Sequence, residues 1–203
     1  MKIYFIPFAC SLALRIGVEE AGLPASFVRV TPDGRVPDGR AFVDLSPLGY
    51  VPVIEREDGT LIREGLACLI YLADLAPPDM LAPGDAAARH SLIEWLTFTA
   101  TELHKAIFHP LMTGGSNEGA KALARSLVPS RFAHLDRLLA GHETLLDRFT
   151  VADAYLVAVL NWCEHAGVAL DSYSEVAAWR ERMRARPSVA RAMAAELPLL
   201  RTS

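Results

Sequence analysis

The period of the apolar positions changes once along the chain. Residues 2–6 (KIYFI) and 27–31 (FVRVT) are rich in β-branched and aromatic residues, as strands are. Between them, residues 11–21 (SLALRIGVEEA) carry apolar positions at helical spacing, and Gly22 follows as a helix stop. The order is β-α-β, and a connection through a helix makes the two strands parallel. Residues 31–40 hold two Pro-Asp-Gly steps and read as a polar turn region, with a short helix expected at 40–45. VPVIERE and TLIRE then flank Asp58-Gly59, a hairpin signal, and GLACLIYLADLA follows as a helix. The first part therefore reads β-α-β-α-β-β-α.

Pro77-Pro78 breaks that pattern, and residues 77–85 (PPDMLAPGD) form a linker. Every long segment after it is helical in period. Helices are expected at 86–112, 118–141 with a kink at Pro129, 151–166 and 174–185, and a short last one opens at Pro187. The expected organisation is an α/β domain at 1–78 and an all-α domain at 86–203.

Composition narrows the function classes. A chain of 203 residues that is 52% hydrophobic and 22% charged builds a sizeable core and is not disordered. A net charge of −4 with both signs spread along the chain argues against a general nucleic-acid or anionic-membrane binder. No stretch approaches the length that spans a bilayer. The start, MKIYFIPFACSLAL, has some likeness to a signal peptide. Its basic region is thin, Pro7 breaks the apolar run, and an amphipathic pattern follows at once, so a mature strand and helix are expected there. Cys10, Cys68 and Cys163 lie far apart, in no metal-ligand spacing. An odd, sparse set fits a reducing compartment, and no zinc site is expected.

Five features bear on chemistry. Cys10 stands where the first strand hands over to the first helix. Orphan amides at such a helix start stabilise a thiolate and lower its pKa. Position alone nevertheless favours a packed, inert Cys10 with Ser11 as a helix cap. In YVPV at 50–53, Pro52 is either a strand's first residue or a cis bond in a turn, and both readings leave the Val51 main chain free for an extended ligand. Gly65 opens a helix directly after a strand, and a bare helix start binds carboxylate, while Glu64 suits an ammonium. An ordinary acidic first turn accounts for the same residues.

Thr97, Thr101 and His104 recur at helical spacing in EWLTFTATELHK, which points to a wet cleft or an interface, or equally to a satisfied surface histidine. Lys105 beside it would draw an anion. The other five histidines read as surface residues. Thr150 and Asp153 in FTVADAYL resemble a capping box, a structural device without chemistry.

With these residues placed, the chain resembles a cytosolic glutathione transferase, most of all the bacterial beta class, over essentially its whole length. PFACSLALRI, SPLGYVPVIEREDGTLIREG, IYLAD, IEWLTFTATELHK and FTVADAYL carry the resemblance, in the family's order and spacing. It implies a thioredoxin-like N-terminal domain, an all-helical-bundle C-terminal domain and a cytoplasmic homodimer. It implies glutathione as co-substrate, a small hydrophobic electrophile, and no metal, membrane or nucleic-acid partner.

By the resemblance Cys10 faces the sulfur of glutathione and forms a mixed disulfide with it. Ser11 would donate to the thiol, and His104 and Lys105 would close the cleft. Tyr50, Val51 and cis-Pro52 would meet the cysteinyl main chain of the tripeptide. Glu64 and Gly65 would hold the γ-glutamyl end, and Glu102 would reach the ligand of the other subunit. Arg35 stands in for a family lysine, Thr97 for an asparagine, and Phe8 for a glycine, where it would narrow the thiol pocket. Phe8, Phe98, Phe108, Leu111 and Met112 are candidates for the electrophile pocket and equally for core.

The activity implied is detoxifying conjugation of the glutathione thiolate to hydrophobic electrophiles, or thiol–disulfide exchange. Dehalogenation, isomerisation and peroxide reduction belong to the same reading. The alternative is a catalytically weak protein of the same fold that binds glutathione or hydrophobic ligands, which Phe8 and Thr97 favour.

Overall fold

Pairing of the first two strands sets the architecture. In the computed structural model, which describes residues 1–202 in backbone and 1–200 in side chain, β1 (Lys2–Phe5) runs parallel to β2 (Ser26–Arg29), with Ile3 opposite Phe27. Helix α1 (Leu12–Ala21) makes the crossover and ends at Gly22, whose φ of 62° is the left-handed value that glycine adopts without strain. β3 (Val53–Glu55) pairs antiparallel with β1, and β4 (Leu61–Ile62) with β3, so the sheet order is β2-β1-β3-β4. The strands are shorter than the apolar runs suggested, and the helix expected at 40–45 is a single 3-10 turn at Phe42–Asp44.

Both sheet faces are covered. Tyr4, Val30, Val36, Phe42, Leu45 and Val53 form a small cluster on one face. On the other, α1 and α2 (Gly65–Leu75) share one continuous core with the later helices. At the centre of that core, every residue of α6 (Val151–Leu160) is buried. Its start is a true capping box. The Asp153 carboxylate accepts from the Thr150 N–H at 2.8 Å and also from the Leu145 N–H at 2.8 Å.

The remaining helices are α3 (Ala86–Phe98), α4 (His109–Met112), α5 (Glu118–Leu139), α7 (Cys163–Ala166), α8 (Ser174–Ala185) and α9 (Pro187–Glu196). Pro129 lies inside α5 without ending it. The helix expected at 86–112 is broken by a π-helical segment, Thr99–Phe108, in which each hydrogen bond spans five residues.

Candidate active site

A groove of about 410 Å³ opens between the sheet and the π segment. Tyr50, Val51, Pro52, Arg63, Glu64, Gly65 and Leu66 form one wall; Ala100, Thr101, His104, Lys105 and Tyr155 form the other. Cys10, just before α1, does not itself line the groove; it lies behind the wall, where its thiol donates to the carbonyl of the lining residue Val51 at 3.2 Å.

The sheet-side wall combines the Val51–Pro52 main chain and the start of α2 with the Tyr50, Arg63 and Glu64 side chains. The Val51–Pro52 bond is cis. Glu64 takes a φ of 68°, a left-handed value that a non-glycine residue holds only against strain, and such strain gathers at functional sites. Its carboxylate makes no hydrogen bond or ion pair among the described residues, and no side chain caps the start of α2 beside it. A bare helix end and an unpaired carboxylate therefore sit side by side.

The helical wall is built of side chains. His104 Nδ1 lies 2.8 Å from the Tyr155 hydroxyl, and its ring meets Trp162 edge-on at 4.9 Å between centroids. Burial, with the Lys105 and His109 charges adding to it, pushes the imidazole down to about 4, so at neutral pH it is uncharged. Lys105 Nζ sits 4.5 Å from the centroid of the Tyr50 ring and so links the two walls.

The thiol runs against the lowered pKa that a helix start alone would give. Burial pushes Cys10 up to about 11, although Lys105 and the amides of Cys10 and Ser11 pull the other way. The helix start works in the direction foreseen, but desolvation outweighs it. Cys10 is here a neutral donor to the Val51 carbonyl. Ser11 corrects an expectation. It is fully buried and caps nothing; its hydroxyl donates to the Ile6 carbonyl at 3.2 Å, away from the thiol.

Other expected site residues stand elsewhere. Arg35 donates to the Gly39 carbonyl at 3.0 Å and pairs with Asp33, inside its own loop. Thr97 is exposed and off the groove, and only its carbonyl meets the expected stripe, accepting from the Thr101 hydroxyl at 3.0 Å. Glu102 pairs with Arg131 at 3.0 Å in a separate cleft with Phe98, Ser130 and His134. Phe108 is core, stacked edge-on with Phe132 and Trp162, and none of the five electrophile-pocket candidates lines the groove. Phe8 packs against the core and does not narrow the groove. His109 is half-buried against Tyr50, not a plain surface residue.

Several lining residues escape a reading of the sequence, Arg63 and Tyr155 among them. Arg63 donates to the Leu45 carbonyl at 2.7 Å. Tyr155 carries a signal: a hydroxyl in a buried helix whose only other polar side chain is the capping-box Asp153 needs a partner, and that partner is His104.

The family model described as Glutathione S-transferase, N-terminal domain matches residues 9–75, and that for the C-terminal domain matches residues 99–187. The chain belongs to the glutathione S-transferase family. It is 37% identical to glutathione S-transferase GstA of Escherichia coli O157:H7 over 97% of this chain and 98% of that one. Among solved structures, a bacterial beta class glutathione S-transferase of Sphingomonas chungbukensis superposes with a TM-score of 0.89 at 38% identity, covering 97% and 98% of the two chains. A sphingomonad glutathione S-transferase complexed with glutathione gives 0.89 at 35% identity, with the same coverage. The fold is thus the thioredoxin-like sheet domain followed by the helical domain of glutathione S-transferases.

Proposed function

We propose that this transferase binds glutathione in the groove between the sheet and the π segment and directs its thiolate at small hydrophobic electrophiles. The reading is carried by one juxtaposition: the Val51 main chain, the bare α2 start and the unpaired Glu64 carboxylate lie along one wall, and Cys10 touches the same Val51. A γ-glutamyl end carries both an ammonium and a carboxylate. Glu64 complements the first, and the amides at Gly65 the second. Tyr50, Val51 and Pro52 run beside the cysteinyl main chain.

In conjugation, the glutathione sulfur forms a bond to the electrophilic carbon, and the leaving group departs with the electron pair of the bond that breaks. Neutral His104, held by Tyr155, orients the sulfur by hydrogen bonding, and Lys105 supplies positive charge. In disulfide exchange, Cys10 loses its proton and attacks the glutathionyl sulfur of a mixed disulfide, expelling the other thiolate.

Residues 1–78 and 86–203 act as the two domains, in a cytoplasmic homodimer. The Glu102–Arg131 cleft is the part of the helical layer we assign to the partner's site. Arg35 and Thr97, which do not line the groove, have no part in this reading.

Retention on immobilised glutathione, followed by turnover of 1-chloro-2,4-dinitrobenzene, tests the reading. Both are expected. Retention without turnover would mean a binding protein, and neither would remove the groove from consideration.

A further inference from the structure

Residues 6–9, just before Cys10, form a tight turn closed by the Ala9 N–H on the Ile6 carbonyl at 3.1 Å. Pro7 is second in it and Phe8 third, with a φ of 57°. A proline followed by a left-handed residue is the type II pattern, whose third place belongs to glycine or asparagine. Phenylalanine there is held against its own preference.

Two residues from the helical layer grip the Phe8 main chain. The Phe8 N–H donates to Glu196 Oε2 at 2.7 Å, and Trp162 Nε1 donates to the Phe8 carbonyl at 2.8 Å. Glu196 is fully buried and keeps its other oxygen 2.8 Å from Arg15 Nε. The Arg15 guanidinium in turn lies 3.6 Å from the centroid of the Phe27 ring. A buried ion pair is seldom there for stability alone, since apolar side chains of like volume usually serve as well. Trp162 also abuts His104, so one side chain touches both the Cys10 turn and the helical wall.

We propose that Glu196 and Trp162 are positioning residues that lock the Ile6–Ala9 turn and thereby aim the Cys10 thiol at Val51 and the groove. The proposal rests on Cys10 being the thiol that serves the groove through Val51. Its test needs no glutathione, so a failure of glutathione binding leaves the result standing.

The test titrates the rate at which Cys10 reacts with 4,4′-dithiodipyridine against pH, with Cys10→Ala as the blank for Cys68 and Cys163. Trp162→Phe and Glu196→Gln are each made in the parent and in Phe8→Gly. The titratable groups that act on Cys10 or feel its charge are Lys105, Tyr155 and Cys68. None is altered, and Trp162→Phe removes no charge. Each substitution is expected to move the titration midpoint toward that of an ordinary cysteine by about half a unit or more. With Phe8→Gly the shift is expected to fall to less than about half of that, because glycine holds the turn unaided. An unmoved midpoint, or equal shifts in both backgrounds, overturns the proposal. Should Glu196→Gln not fold, the Trp162→Phe pair decides alone.

Discussion

The two walls of the groove are made of different material. The sheet-side wall offers main-chain groups and a helix end, fixed by the register of β1, β3 and the start of α2. The helical wall offers His104, Lys105 and Tyr155 from a segment wound with five-residue hydrogen bonds and from the buried α6 behind it. Backbone groups bind whatever shares the main chain of the ligand, whereas side chains can be tuned to the reacting atoms. The first wall should therefore govern affinity and the second the rate.

The largest effect expected is on the sheet side. Glu64→Ala removes the one unpaired carboxylate beside the α2 start and should raise KM for glutathione about tenfold to a hundredfold, the range of a lost charge-assisted hydrogen bond. Turnover at saturation should stay within about twofold of the parent, since the loss is uniform binding. Steady-state kinetics with glutathione varied would show it. A fall in turnover at unchanged KM would reverse the division between the walls.

On the helical side, His104→Gln keeps a hydrogen-bonding group and should lower turnover about tenfold with KM nearly unchanged. Its pH behaviour is the sharper test. The folded imidazole titrates at about 4, by burial first, and the unfolded one near 6.5. Between those values the unfolded chain binds the extra proton, so this group makes stability rise with pH across that window. His104→Gln should flatten the rise in acid unfolding curves. The turnover profile of the parent should show no imidazole limb between about pH 5 and 8. An imidazole signal titrating near 6.5 by NMR would contradict the burial argument.

The same contrast governs what is legible in the sequence. Strand, helix and hairpin order in the first part follows from local signals such as Gly22 and Asp58-Gly59, and the sheet-side residues Val51, Glu64 and Gly65 fall out with them. The π segment is not legible. Its apolar residues Leu103 and Ile107 fit an ordinary helix equally well, so residues 86–112 read as one element, and Thr97 is grouped with Thr101 and His104 although it does not line the groove. The thiol's high pKa depends on what covers Cys10, and spacing along the chain carries no measure of burial. The bonds from Glu196 and Trp162 to Phe8 span 188 and 154 residues, far beyond any local period. Even so, Glu196 shares the buried face of α9 with Val189 and Ala192, and a carboxylate at a core position is a signal in itself.

The smallest effect expected lies where the walls meet. Lys105 rests on the Tyr50 ring and is the cation that lowers the Cys10 pKa. Lys105→Met keeps an unbranched apolar stem against that ring and deletes only the charge. Cys10 should then titrate slightly higher, and its reaction with a neutral disulfide at fixed pH should slow about twofold, as expected for one partly solvated charge. Added salt separates this from a change of shape. Screening weakens the lysine's pull in the parent, so the parent's rate should fall as ionic strength rises toward about 1 M, while the methionine variant should hardly respond. Lys105→Arg should restore the salt response. A methionine variant that still slows with salt would mean that charge elsewhere sets the thiol, and that the helical wall acts on Cys10 through packing alone.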